Sequence, residues 1–267
     1  MKFISLGSGS SGNCYYLQRA AGDGLFIDAG VGLRTLKKYF RDYGVSFASA
    51  SNILITHDHA DHIKSVGSLS HDYHLPVYST EEVHKGILNN YCVNKKIEPM
   101  LVRYLEKDTT VRIGDFEVTT FGVPHDSRDC VGYSIQADGV TFCIMTDVGE
   151  VTERMRTFIA AANYLIIEAN HDEEMLNNGP YPEYLKRRIL SSIGHLSNKS
   201  CAEALVENAT ANLRHVWLCH LSEENNHPEL ARKTVDSILR ASGIVPGVDF
   251  QLDVLKRKTP SEVIELI

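Results

Sequence analysis

Residues 53–62 read Ile53-Leu54-Ile55-Thr56-His57-Asp58-His59-Ala60-Asp61-His62, an apolar run that ends abruptly in three imidazoles and two carboxylates. Carboxylates are almost never buried unpaired, and histidines are only intermediate in burial. A strand end that collects both needs a group that neutralises the acids and engages the imidazole lone pairs. A divalent cation does both, because imidazole and carboxylate are standard ligands of zinc and its neighbours. In extended backbone, residues two apart point the same way, so His57 and His59 can hold one ion from one side. If the chain then turns into a helix, Asp61 and His62 lie on its first turn and face a second ion. The plainer alternative is a polar strand-to-helix turn with Asp61 as its N-cap. A cap needs one polar side chain, not five.

Upstream, Phe3–Leu6 reads as a strand, followed by Gly7-Ser8-Gly9-Ser10-Ser11-Gly12-Asn13. The glycine spacing matches a dinucleotide fingerprint, but that motif must open a helix. Here Cys14-Tyr15-Tyr16-Leu17 continues as a second strand. A hairpin loop is expected, either a plain turn or an anion nest of free N–H groups with Ser10, Ser11 and Asn13 at its tip. The strand Leu25-Phe26-Ile27 ends in Asp28-Ala29-Gly30, and an Asp before Gly is often a turn former.

Downstream, the spacing predicts one helix over Ile63–Tyr73, a strand at Pro76–Ser79 and a helix from Thr80. Antiparallel strands are expected over Val102–Phe121, with Ile113–Phe116 as a hairpin turn. His125 follows the next apolar end. Thr141–Met145 runs into Thr146-Asp147-Val148-Gly149, which echoes Phe26-Ile27-Asp28-Ala29-Gly30 and suggests two similar halves facing each other. Beyond it, helices alternate with the buried strands Tyr164–Ile167 and His215–Cys219, which end in Glu168 and His220; one of these helices is expected over Pro182–Ile193.

Hydrophobic residues make up 43% and charged residues 23%, ordinary globular values. With no linker or low-complexity tract, residues 1–267 are expected to form a single domain. A net charge of −7 gives no global pull toward nucleic acid or an anionic membrane. Six cysteines without a C-x-x-C pair read as reduced thiols, and there is neither a signal-peptide pattern nor a long apolar span. The expectation is a cytoplasmic protein without a membrane partner; the sequence leaves its oligomeric state open.

The string His57-x-His59-x-Asp61-His62, followed in order by His125, Asp147 and His220, resembles the metallo-β-lactamase superfamily. The resemblance implies an α/β fold, an αββα sandwich of two mixed sheets flanked by helices. It also implies two divalent metal ions (Zn, Mn or Fe): one held by His57, His59 and His125, a second by Asp61, His62 and His220, with Asp147 between them and Asp28 supporting the metal loop. Members hydrolyse several ester and amide classes, so the fold alone does not choose a reaction. The strings Ile167-Glu168-Ala169, Gly194-His195-Leu196-Ser197 and Cys219-His220-Leu221-Ser222 resemble the nuclease branch. Gly7–Cys14, Glu168–Asp172, Gly179–Pro182 and His220–Asn226 are similar to the YycJ/WalJ group, described as DNA exonucleases.

The resemblance thus implies a phosphodiester hydrolase acting on nucleic acid, DNA favoured, as a 5′-to-3′ exonuclease. A metal-activated water would attack phosphorus, with Asp61, Glu168 and His195 as catalytic residues and His195 as general acid, kept charged by Glu168. His171 would either orient Glu168 or touch substrate. Arg187 and Arg188 would either meet backbone phosphates or lie on a solvated helix face. The acidic charge and the lack of an inserted nucleic-acid-binding arm support a different class, a hydrolase of a small thioester, lactone or cyclic phosphodiester.

Overall fold

The computed structural model describes residues 1–267. Strands β1 (Lys2–Gly7), β2 (Cys14–Gln18), β3 (Gly24–Ile27), β4 (Ala50–Leu54), β5 (Val77–Ser79) and β6 (Val102–Tyr104) lie side by side in that order. The chain then crosses to a second sheet, built in order from β7 (Thr110–Ile113), β8 (Phe116–Gly122), β9 (Val131–Ala137), β10 (Val140–Met145), β11 (Tyr164–Glu168), β12 (His215–Cys219) and β13 (Gln251–Val254). A final strand, β14 (Ile264–Glu265), returns to pair antiparallel with β1.

Period-two alternation explains why the two sheets stack. Phe3, Tyr15, Leu17, Leu25, Ile27 and Leu54 of the first sheet meet Phe142, Ile144, Ile166 and Trp217 of the second in one buried cluster. Phe3 lies 5.3 Å from the Phe142 ring and 4.9 Å from Trp217, centroid to centroid. The alternate residues face outward but are no less apolar, because helices cover both outer faces. Ile4, Tyr16, Phe26 and Ile53 pack under α1 (Leu33–Asp42), α3 (Val66–Tyr73) and α4 (Glu81–Asn89). Cys143, Leu165, Ile167 and Leu218 pack under α5 (Glu153–Ala161), α8 (Asn198–Asn208) and α9 (Pro228–Ala241). The architecture is the αββα sandwich expected.

Three local expectations fail. The Ile63–Tyr73 helix is interrupted, with a short α2 (Ala60–Ile63) ending before α3. The cause is tertiary: Ala29, in the loop after β3, donates to the His62 carbonyl at 2.7 Å and accepts from the Ser65 N–H at 2.8 Å. Val102–Tyr104 is not part of the antiparallel set; it pairs parallel with β5, and only β7 and β8 form the expected hairpin. The helix expected over Pro182–Ile193 forms but stops short: after α6 (Glu173–Asn178), α7 spans only Glu183–Ile189. The β14 strand had no sequence signal, being two residues long.

The parallel pairings decide where chemistry can sit. β3 and β4 run parallel, as do β10, β11 and β12, so their C-terminal ends gather along one edge of the sandwich. Asp28, the 57–62 loop, Asp147, Glu168 and His220 all lie at or just past those ends.

Candidate metal centre

At three of those strand ends the backbone turns sharply. Asp28, Asp147 and His220 have φ of 58°, 54° and 52°, a left-handed conformation that costs residues with a side chain about 1–2 kcal/mol. Glycine would take it more cheaply but would bring no functional group. Strain of this kind concentrates at functional sites. Here it aims one carboxylate or imidazole from each of β3, β10 and β12 into the same space. The Asp28–Asp147 echo in the sequence is thus a shared strand-end geometry.

The imidazoles are held by their outer nitrogens. His62 Nδ1 donates to Asp28 Oδ2 at 2.7 Å, both side chains wholly buried. Asp28 in turn accepts from the Thr56 N–H at 2.8 Å and from its hydroxyl. His57 Nδ1 meets Thr56 Oγ1 at 3.0 Å, His125 Nδ1 donates to the Gly194 carbonyl at 3.0 Å, and His220 Nδ1 donates to Glu168 Oε1 at 2.8 Å. Each contact leaves Nε2 turned inward, the arrangement by which outer partners orient metal-binding histidines.

The inward atoms form overlapping clusters. Donor atoms of His57, His59 and His125 lie within 4.8 Å of one another, as do those of Asp61, His62 and His220, and of His57, His62 and Asp147. His57 Nε2 is buried with no hydrogen-bond partner, which is costly for a polar atom unless something takes its lone pair. An N/O donor set of this composition fits zinc, manganese or iron. On the second cluster the Asn13 amide donates to Asp61 Oδ2 at 3.2 Å, and its nitrogen lies 2.9 Å from His62 Nε2.

Charge follows the same division. Burial, then the His62 charge, push His57 well below its ordinary value, and burial lowers His59 and His125 too. These three are neutral and ready to ligate. Burial would lower His62 as well, but Asp28, Asp147 and Asp61 outweigh it and hold the imidazole up at about 10. His220 is raised in the same way, chiefly by Asp147.

Glu168 and His195 belong to a further group, their donor atoms lying within 4.8 Å of those of Asp147 and His220. His195 Nδ1 donates to Glu168 Oε1 at 2.8 Å, and Glu168 Oε2 accepts from the N–H of Val148 at 2.8 Å and of Leu196 at 3.1 Å. Burial would raise Glu168, but His195 and His220 outweigh it and hold the carboxyl down at about 2. Burial would lower His195; Glu168 more than offsets it and raises the imidazole.

Not every candidate joins. Ser10 and Ser11 are exposed at the loop tip and make no contact with the clusters, whereas Asn13 does. His171 is 1% exposed, and neither ring nitrogen has a hydrogen-bond partner, so no hydrogen bond joins it to Glu168. Arg187 is exposed. Arg188 is exposed as well, its side chain 51% accessible, and it donates from Nε and Nη2 to Asp126. Asp126 Oδ1 lies 3.5 Å from His125 Nε2 and 3.9 Å from His59 Nε2. Sequence reasoning missed Asp126, although its place next to His125 was a signal. It also missed Thr56 and Ser8, whose hydroxyl accepts the His220 N–H at 3.1 Å.

This strand-end site on a double-sheet sandwich coincides with a match of residues 25–220 to the Beta-lactamase superfamily domain. The chain belongs to the metallo-β-lactamase superfamily, a family of hydrolases, and within it to the YycJ/WalJ group. It is 35% identical to the exodeoxyribonuclease YycJ of Bacillus anthracis over 98% of both chains. It is 36% identical to the exodeoxyribonuclease WalJ of Streptococcus pneumoniae serotype 2 (strain D39 / NCTC 7466), over 94% of this chain and 93% of that one. The crystal structure of the metallo-β-lactamase fold protein YhfI from Bacillus subtilis superposes with a TM-score of 0.70 at 17% identity, over 97% and 98% of the two chains, and so shares the fold.

Proposed function

We propose that the protein is a phosphodiester hydrolase that degrades DNA from the 5′ end, using two divalent cations. The observation that carries this reading is the Glu168–His195 pair standing beside the histidine–aspartate clusters, in a chain whose full-length relatives are named exodeoxyribonucleases. His57, His59 and His125 would hold one cation and Asp61, His62 and His220 the other, with Asp147 between them. When bound, such cations supply Lewis acidity toward phosphate oxygens and an activated water.

The chain's own residues do the rest. A DNA 3′-oxygen leaves poorly unless it is protonated. His195, charged through Glu168, keeps Nε2 free of any protein partner to give that proton. Asp61 lines the clusters and orients the attacking water. Asn13 ties the Gly7–Gly12 hairpin loop to the second cluster, bonding the Gly9 N–H at 2.8 Å. Six unpaired thiols suit a reducing, cytoplasmic compartment, and no helix is long and apolar enough to cross a membrane.

The test uses protein loaded in turn with zinc, manganese and iron, on oligodeoxynucleotides labelled at either end. Early release of a 5′ label, with a shrinking ladder from the 3′ label, is the expected result. Inert DNA and RNA with every metal, alongside turnover of a thioester or lactone, would hand the protein to small-molecule hydrolysis. RNA cleaved in preference to DNA, or loss of the 3′ label first, would overturn the finer claims alone.

A further inference from the structure

We infer that α7 and the turn after it form the lip over which a nucleic-acid strand enters the site, with Arg188 and Arg187 taking backbone phosphates and Tyr184 stacking on a base. The inference rests on the phosphodiesterase reading and supplies the contact surface that the chain's net charge of −7 otherwise denies it.

Position comes first. The Arg188 Nη2 lies 3.0 Å from Asp126 Oδ1, and that oxygen lies within 4 Å of Nε2 of both His125 and His59. A guanidinium therefore stands one carboxylate away from the first histidine cluster. Asp126 grips only one edge of it, through Nε and Nη2. The fork is thereby fixed in orientation by a bidentate contact with Asp126, while Nη1 stays open to a second anion.

The neighbours on the helix separate into used and unused. Lys186 is occupied, donating to the Asn177 carbonyl at 2.7 Å and lying near Glu183. Arg187 is exposed and has no carboxylate partner, in contrast to the residues on either side. Tyr184 is 74% exposed and precedes Arg187 and Arg188 by three and four positions, so all three share a helix face. An exposed aromatic flanked by two guanidinium groups is the combination that binds single strands, through stacking and phosphate contact. Leu190 and Ile193, about half exposed, extend the same lip.

Rigidity ties this lip to the chemistry. The His195 N–H donates to the Ile189 carbonyl at 2.9 Å, and the Gly194 carbonyl accepts from His125. A side chain at Gly149 would collide with Ser192, so the turn is packed directly against the strand end that carries Asp147. A phosphate seated on Arg188 is thereby held at a fixed place relative to His195 and the clusters.

The test measures kcat and KM on an oligodeoxynucleotide across a salt series, using metal-loaded wild type, Arg187→Ala, Arg188→Ala, Arg188→Lys and Tyr184→Ala, with metal content and circular dichroism for each. Loss of either arginine should raise KM about tenfold, the scale of one charge-assisted contact. Each loss should also flatten the dependence of log KM on log salt by roughly 0.7–0.9. Arg188→Lys should recover the salt slope but not the full KM, since ammonium cannot hold Asp126 and a phosphate in one plane. Tyr184→Ala should raise KM without touching the slope. Unchanged KM and slope in folded, metal-bearing Arg187→Ala and Arg188→Ala would overturn the inference while leaving DNA hydrolysis standing. So would metal loss in Arg188→Ala, which would make the arginine a support of the metal cluster. A wild type that leaves DNA intact removes the phosphodiesterase reading first.

Discussion

Glu168 Oε1 sits 2.8 Å from His195 Nδ1, and the same oxygen accepts from His220 Nδ1 at 2.8 Å. One carboxylate oxygen therefore orients both the proposed proton donor and a proposed metal ligand. The sequence alone pairs Glu168 only with His195; the shared oxygen changes what its replacement should do.

His195→Ala should keep its fold and its metal, and its defect should depend on the leaving group. On DNA the loss should be on the order of 10²–10⁴-fold in kcat. On a p-nitrophenyl phosphodiester, whose leaving group departs as a stable anion, most of that loss should vanish. Glu168→Gln should instead damage both substrates and lower metal occupancy, because it also releases His220. Rates on the two substrates, with elemental analysis of each variant, check this. Full metal retention in Glu168→Gln would mean the His220 contact is incidental.

Metal stoichiometry is a second check. Purified protein should carry close to two divalent ions per chain. His57→Ala should empty the first cluster preferentially, and Asp147→Ala should weaken both, since Asp147 contacts His62 at 3.2 Å and His220 at 3.3 Å. Inductively coupled plasma analysis reads this directly. A folded, active and metal-free protein would sink the di-metal proposal.

Metal and protons should compete. In the metal-free protein His62 is held up at about 10, which leaves it cationic at neutral pH, and His220 is shifted in the same direction. Ligation requires the neutral imidazole, so loading at pH 8 should release on the order of one to two protons per chain. Affinity should fall as pH is lowered, because more protons must then be displaced. Calorimetry in buffers of different ionisation enthalpy measures the release. No release would show that His62 and His220 stay outside the coordination sphere.

Gly30→Ala should disable the second cluster without touching a candidate ligand. A side chain there would collide with the Asp61 carbonyl oxygen and crowd the Asn13 N–H. The Gly30 N–H also bonds the Asn13 carbonyl, and the Asn13 N–H bonds the Asp61 carbonyl, at 2.8 and 2.7 Å. The expected result is reduced occupancy of one ion, with a loss of stability of about 1–3 kcal/mol, as for other overpacked sites. Normal stability and full metal content would show that the loop yields cheaply.

The sequence alone carried the local part of this protein. Apolar runs such as Phe142–Met145 and Tyr164–Ile167 mark strands buried on both faces, but every residue in them is apolar, so only the tertiary packing decides which face meets the other sheet. The His57–His62 string announces metal chemistry, because six consecutive positions cannot bury so many polar groups otherwise. Tertiary structure decided whatever depended on a distant partner. Ala29 breaks the helix after His62, and β6 joins β5 in parallel, because hydrogen bonds from far along the chain outweigh local preference. The same holds at the site. Asp126 and Arg188, 62 residues apart, become a fixed pair beside His125. Spacing along a chain sets which side chains can share a face, but only packing sets which of them meet.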